Sequence, residues 1–144
     1  MRKAIIGAGG LAREVKSYLD NQFPNQNTIM FVEDEYYKGD DNTLPMSDFD
    51  PLKFVVVVAV GEPRDRFDII RRLPKNTQYF TFISDKAVIS DPLNTFIGEG
   101  SIICPGVIIT TNVKIGQHSI LNRGSQVGHD VYIGNYFSAM PGTI

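Results

Sequence analysis

The apolar residues of this chain follow two different rhythms. Over the first 84 residues they come in short runs set apart by helical spacing. Lys3 to Gly7 is a brief β-type run that ends in glycines. Leu11, Val15 and Leu19 recur at i, i+4 and i+8, which predicts a helix over residues 11–19. Thr28 to Val32 predicts a second strand, closed by Glu33-Asp34-Glu35. Residues 36–50 are polar, with Gly, Asp and Pro, and read mostly as loop. Lys53 to Val60 is an almost unbroken valine run, which suits a strand buried on both faces of a parallel sheet. Pro63 opens a second helix through Leu73, since proline fits the first helical turn. Gln78 to Ile83 predicts a further strand. Strands alternating with helices at this spacing predict an α/β domain with a Rossmann-like parallel sheet over residues 1–84.

From Ile97 the period changes to six. Counting in hexads, the first positions are Ile97, Ile103, Ile109, Ile115, Leu121, Val127, Ile133 and Ala139. The fifth positions are Ser101, Val107, Val113, Ser119, Ser125, Val131, Phe137 and Thr143, small or β-branched at all but Phe137. Glycine takes the second position at Gly98, Gly116, Gly128 and Gly134, where it is expected to relax the turn. A repeat of this kind predicts a β-solenoid over residues 85–144. Each hexad supplies one short strand and a corner, three hexads make a triangular coil, and coils stack about 4.8 Å apart. The aliphatic first position points inward. Asp91 to Thr95 reads as the turn between the two halves. Eight hexads fill residues 97–144 without a capping element, so the solenoid is expected to be incomplete at its C-terminal end.

Composition narrows the function classes. Of 144 residues, 42% are hydrophobic and 21% charged, as in a folded globular chain. The formal charge of −2 supplies no electrostatic pull on nucleic acid. One cysteine excludes an internal disulfide framework and suits a reducing compartment, so a cytoplasmic protein is expected. The longest apolar run, Phe54 to Val60, is seven residues, well short of the roughly 20 of a membrane helix. Neither a nucleic-acid nor a membrane partner is expected, nor a metal.

Gly7-Ala8-Gly9-Gly10-Leu11-Ala12 matches G-x-G-x-x-A between a predicted strand and a predicted helix. Glycines there let the backbone approach a phosphate, and the helix N-terminus favours an anion. Glu33 and Asp34 follow 23 and 24 residues after Gly10, near the spacing of a ribose-binding carboxylate. Gly61 ends the valine strand and is expected at the same end of the sheet. Arg66 offers two readings, a phosphate contact or a pair with Glu62 one turn earlier. Tyr36, Tyr37 and Lys38 could cover a base, although a mobile polar loop is the stronger reading.

Ile5 to Glu14, Phe31-Val32-Glu33-Asp34, Val58-Ala59-Val60-Gly61 with Arg66, and the hexads with Asn122, Val127-Gly128-His129-Asp130 and Ile133-Gly134 together carry a resemblance. They resemble the bacterial hexapeptide-repeat sugar acetyltransferases of the sialic acid O-acetyltransferase and nucleotide-aminosugar N-acetyltransferase type, along essentially the whole chain. The resemblance implies a left-handed parallel β-helix, a homotrimer with active sites between subunits, a nucleotide-sugar acceptor held by the front domain, and acetyl-CoA held by the β-helix. It implies acceptor contacts from Gly7, Gly9, Gly10, Leu11, Glu33, Asp34, Gly61 and Arg66. It also implies catalysis by His129, Asp130 and Asn122, and acyl-donor contacts from Ser138 and Gly142. Ser138 departs from the pattern, because many relatives have a histidine there.

The chemistry suits His129. Acetyl transfer from a thioester needs a nucleophile that loses its proton as it attacks, and an imidazole is a suitable base near neutral pH. Asp130 could orient the ring. Neighbours on a strand point to opposite faces, so the pair can meet only at a turn. His118 is assigned no chemistry, and solvent or a subunit interface is its expected surrounding. Cys104 has no histidine in its hexad and reads as structural. The expected activity is acetyl-CoA-dependent acetylation of a nucleotide-activated sugar for bacterial surface glycans. The alternatives are a sialic acid O-acetyltransferase, and a nucleotide-binding or trimerising β-helix protein without catalysis.

Overall fold

A computed structural model describes all 144 residues, and they divide into two compact units, Met1–Phe80 and Thr81–Ile144. No helix is long and apolar enough to cross a membrane.

The front unit comprises β1 (Arg2–Ile6), α1 (Gly10–Gln22), β2 (Ile29–Val32), β3 (Thr43–Pro45), β4 (Phe54–Val58), α2 (Pro63–Arg72) and β5 (Gln78–Tyr79). Its five strands are all parallel, in the order β3-β2-β1-β4-β5. The order reverses between β1 and β4, and such a switch point opens a crevice at the carboxyl ends of the strands. The valine run behaves as its composition requires, with Val56, Val57 and Val58 buried. On one face Ala4, Ile6, Phe31, Val56, Val58 and Leu73 form the core, and Phe31 meets Phe49 and Phe54 edge to face. Helix α1 buries Ala12, Val15 and Leu19, the predicted stripe.

Residues 36–50 are mostly loop, with Thr43–Pro45 added as an edge strand beside β2. A three-residue edge strand carrying a proline gives almost no pattern to read. The run Gln78–Ile83 is not one strand. Gln78–Tyr79 pairs with β4, whereas Phe82–Ile83 forms β6 of the second unit, paired with Ile102–Ile103. The division therefore falls at residue 80 rather than 84.

The second unit is a parallel β-helix of ten short strands: β6 (Phe82–Ile83), β7 (Val88–Ile89), β8 (Thr95–Ile97), β9 (Ile102–Ile103), β10 (Ile108–Ile109), β11 (Val113–Ile115), β12 (Ile120–Leu121), β13 (Gln126–Val127), β14 (Tyr132–Ile133) and β15 (Ser138–Ala139). They stack in three sheets, β15-β12-β9-β6, β13-β10-β7 and β14-β11-β8. Ile103, Ile109, Ile115, Leu121 and Val127, first positions of their hexads, are buried inside. The fifth-position serines fill tight corners, where the hydroxyls of Ser101 and Ser119 donate to the carbonyls of Gly116 and Gly134.

The solenoid begins before Ile97. Phe82 pairs with Ile102, whereas Ile102 pairs with Ile120, so the first coil is two residues longer than the next. The extra residues lie in the short 3-10 turn Pro92–Asn94, which shifts the phase and hides the first two strands from a six-residue count.

The corners also correct the role given to glycine. Positive φ falls at the fourth place of every hexad: Gly100, Gly106, Asn112, His118, Gly124, Asp130, Tyr136 and Gly142. The second-position Gly98 and Gly116 serve close coil stacking instead. A Cβ on Gly98 would lie 2.5 Å from the Gly116 carbonyl carbon.

Candidate functional site

In the front unit the crevice at the β1 and β2 ends is a cleft of about 490 Å³. Gly7, Ala8 and Gly9 form one wall, and Glu33 stands at the end of β2. Gly7 makes the turn itself. Its φ is +121°, its N–H donates to Phe31 O at 2.8 Å, and a Cβ there would come within 3.0 Å of Ala59 O. Gly9 precedes α1 with ordinary backbone angles, and a Cβ on it would meet nothing within 4 Å. The first helical bond is Arg13 N–H to Gly9 O, so the N–H groups ahead of Arg13 remain available to an anion.

The other proposed contacts divide. Glu33 lines the cleft, and Arg72 holds its carboxylate at 3.1 Å. Asp34 instead accepts the Ser47 N–H at 2.9 Å, which ties the β2 end to the turn after β3. Gly10, Leu11 and Gly61 lie outside the lining, and a Cβ on Gly61 would touch the Leu11 side chain at 3.7 Å. Arg66 corrects both of its readings. It is fully buried, and its guanidinium donates to Val60 O at 2.7 Å and Gly61 O at 3.2 Å. It ties down the carbonyls that follow β4, and so shapes the wall to which Val60 contributes.

The lining also includes Arg13, Lys38, Asp40 and Thr43, beside Tyr36 and apolar residues such as Phe31, Met46 and Ile69. The sequence offers Lys38, with Tyr36, as cover for a base, and both side chains line the cleft. Arg13 had a weak signal, three residues beyond Gly10 at the helix start. Asp40 and Thr43 had none, because their placement depends on β3 joining the sheet. The lining therefore pairs two cations with two carboxylates around a glycine wall, which suits a phosphorylated, hydroxyl-rich ligand.

In the β-helix unit His129 and Asp130 occupy the corner between β13 and β14. Asp130 has φ of +64°, and this bend lets adjacent side chains meet, with His129 Nδ1 2.9 Å from Asp130 Oδ2. The imidazole is 78% exposed. The Asn112 amide and then the His129 ring hold the Asp130 carboxyl below the usual aspartate range. An anionic carboxylate at Nδ1 favours the tautomer with its proton on Nδ1, leaving the Nε2 lone pair to accept one.

Asn122, Ser138 and Gly142 stand elsewhere. Asn122 follows β12, its N–H donates to Ala139 O at 3.3 Å, and its side-chain oxygen accepts the Arg123 N–H. Gly142 N–H donates to Arg123 O at 3.0 Å, so it stacks one coil beyond on the same corner. Ser138 lies half-buried in β15 beside them. Within one chain, then, Asn122 does not share the His129 corner. His118 is a correction of another kind: it is buried, and its ring stacks on Tyr136 with centroids 5.5 Å apart. Cys104 is buried in the solenoid, in keeping with a structural role.

The chain is similar to known proteins along nearly its whole length. Residues 3–73 match the family described as the PglD N-terminal domain. Across 150 aligned residues the chain is 30% identical to a GDP-perosamine N-acetyltransferase of Escherichia coli O157:H7, covering 96% of this chain and 66% of that protein. Among solved structures, WeeI from Acinetobacter baumannii AYE is 30% identical with a TM-score of 0.81, covering 93% of this chain and 66% of its own. PerB from Caulobacter crescentus, solved with CoA and GDP-perosamine, is 25% identical with a TM-score of 0.75, again over 93% and 66%. The chain thus spans about two thirds of the length of each of these relatives.

Proposed function

The chain belongs to the hexapeptide-repeat sugar acetyltransferase family, and on that premise we propose that it transfers the acetyl group of acetyl-CoA to the amine of a nucleotide-linked amino sugar, with His129 as general base. The observation that carries this reading is the exposed His129 ring held by Asp130 at 2.9 Å. The amine lone pair forms a bond to the thioester carbonyl carbon as His129 Nε2 takes the amine proton. Backbone N–H groups of a neighbouring coil stabilise the oxyanion. The C–S bond then breaks, and the departing CoA sulfur receives the proton from the imidazolium.

The front cleft takes the nucleotide. Gly9 and the start of α1 face the phosphates, and Glu33 faces a ribose hydroxyl. Ser138 and Gly142 contribute to acyl-donor binding. Asn122 holds the acceptor in a homotrimer, where a second copy brings its corner to His129. The setting is the cytoplasm, and the pathway is bacterial surface-glycan synthesis. A GDP-linked amino sugar of the perosamine kind is the first acceptor to test, since two relatives carry that substrate in their names.

Free-thiol release from acetyl-CoA, measured with a panel of nucleotide-linked amino sugars and sialic acid, tests the reading. His129→Ala should lose at least ~100-fold in kcat, the usual scale of a general base, with CoA affinity kept. Undiminished turnover in that variant removes His129 from the mechanism, and release with sialic acid alone assigns O-acetylation instead.

A further inference from the structure

The His129 corner contains a third residue that the sequence reading did not use. Asn112 stands one coil earlier at the same corner, and both Asn112 and Asp130 are in the left-handed region, with φ of +54° and +64°. The stacking brings Asn112 Nδ2 to 2.7 Å from Asp130 Oδ1, while His129 Nδ1 lies 2.9 Å from Asp130 Oδ2. The carboxylate is therefore clamped at both oxygens. Its backbone N–H is also fixed, donating to Thr111 O at 3.2 Å, and the Thr111 hydroxyl donates to Asp91 at 2.6 Å.

From this geometry we propose that Asn112 is a positioning residue for acetyl transfer, which acts through Asp130 to hold the imidazole of His129 in one orientation and one tautomer. An exposed aspartate on a corner has free χ rotation, and a two-residue contact on the surface is worth little by itself. An amide donor from the preceding coil removes that freedom. Amide and carboxylate complement each other, because the Asn112 NH₂ can only donate and an ionised Asp130 can only accept. The principal cause of the depressed Asp130 pKa is this amide, so the carboxylate stays anionic beneath the ring. The other titratable groups near this corner are Asp91, engaged by Thr111 and Asn94, and Lys114 and Tyr132 on the strands that leave it.

The proposal rests on His129 being the base, so the experiment separates the two ideas. In the ¹⁵N-labelled full chain, the ring-nitrogen shifts of His129 report its tautomer without substrate. The native protein should show predominantly the Nδ1–H form. Asn112→Gly keeps the left-handed corner and removes only the amide. It should give a mixture of tautomers and a kcat lower by roughly 5- to 30-fold, the scale of one charge-assisted hydrogen bond, with KM for acetyl-CoA unchanged. Asn112→Asp, which also tolerates the corner but has no donor, should release the tautomer in the same way. In an Asp130→Asn background, Asn112→Gly should cost nothing further in kcat, since both act on one ring. An unchanged tautomer in both single variants, or an equal kcat loss with and without the Asp130 carboxylate, overturns the proposal. If no acceptor is turned over, the tautomer experiment alone decides.

Discussion

At the fourth place of each hexad one dihedral angle decides what a side chain can do. The left-handed corner favours glycine, and asparagine and aspartate tolerate it next best. The chain uses Gly at four of these places, and where it departs from glycine the side chains gain a purpose. Asn112 and Asp130 use the bend to clamp His129, and His118 and Tyr136 use it to stack. The same reasoning separates the glycines of the front turn. Gly7→Ala meets a positive φ and the Ala59 carbonyl at 3.0 Å, so it should lower stability by about 1–3 kcal/mol. Gly9→Ala meets neither, so its stability should stay within about 0.5 kcal/mol of native. Its methyl would stand at the cleft wall, and calorimetric titration should show weakened nucleoside diphosphate binding. Native affinity in Gly9→Ala would mean that no ligand approaches this turn closely.

Elements explain why some residues were legible and others were not. Helix α1 and strand β4 each carry a complete period in consecutive residues, so local pattern suffices. Arg66 illustrates the opposite case. Its position on α2 suggested a cation for a ligand, but the helix packs against β4 and turns the guanidinium onto two backbone carbonyls. Arg66→Met should leave those carbonyls without their charged donor and cost about 1–3 kcal/mol by chemical denaturation. Nucleoside diphosphate affinity of the folded protein should change less than about threefold, since the charge does not line the cleft. A hundredfold loss of affinity at native stability would restore the phosphate-binding role. In the β-helix, the phase slip at Pro92–Asn94 shows how two inserted residues conceal two strands without disturbing their pairing. Register there is set by stacking on the next coil, which a count along the chain cannot see.

For the whole molecule, three clamped carboxylates set an acid limit. Burial alone would raise Asp20, but Lys16 and the N–H and hydroxyl of Thr28 outweigh it and lower its pKa. The Thr111 hydroxyl and the Asn94 amide lower Asp91, and the Asn112 amide and the His129 ring lower Asp130. In each case the folded pKa lies below the unfolded value near 3.8. The folded chain therefore binds fewer of these protons. The stabilisation is complete above that unfolded value and is lost as pH falls through the folded values. Urea midpoints should be level from pH 7 to about 5 and decline below pH 4. A midpoint that holds or rises into that range would contradict the depressed values.

By itself the sequence determined both architectures and one candidate catalytic pair, because hydrophobic period, glycine placement and adjacency are local properties of the chain. The six-residue repeat names a solenoid before any coordinate is known, and His129-Asp130 are neighbours by covalent bond. Tertiary structure decided which residues share a site. Asp40 and Thr43 reach the front cleft only because a three-residue strand joins the sheet edge. Asn112 reaches Asp130 only because one coil stacks on the next, eighteen residues along. Arg66 is withdrawn from the cleft only by the packing of α2. Each of these depends on distance in space between residues far apart in the chain. Solvent exclusion and hydrogen-bond satisfaction fix that distance after the elements have formed, and no local pattern records it.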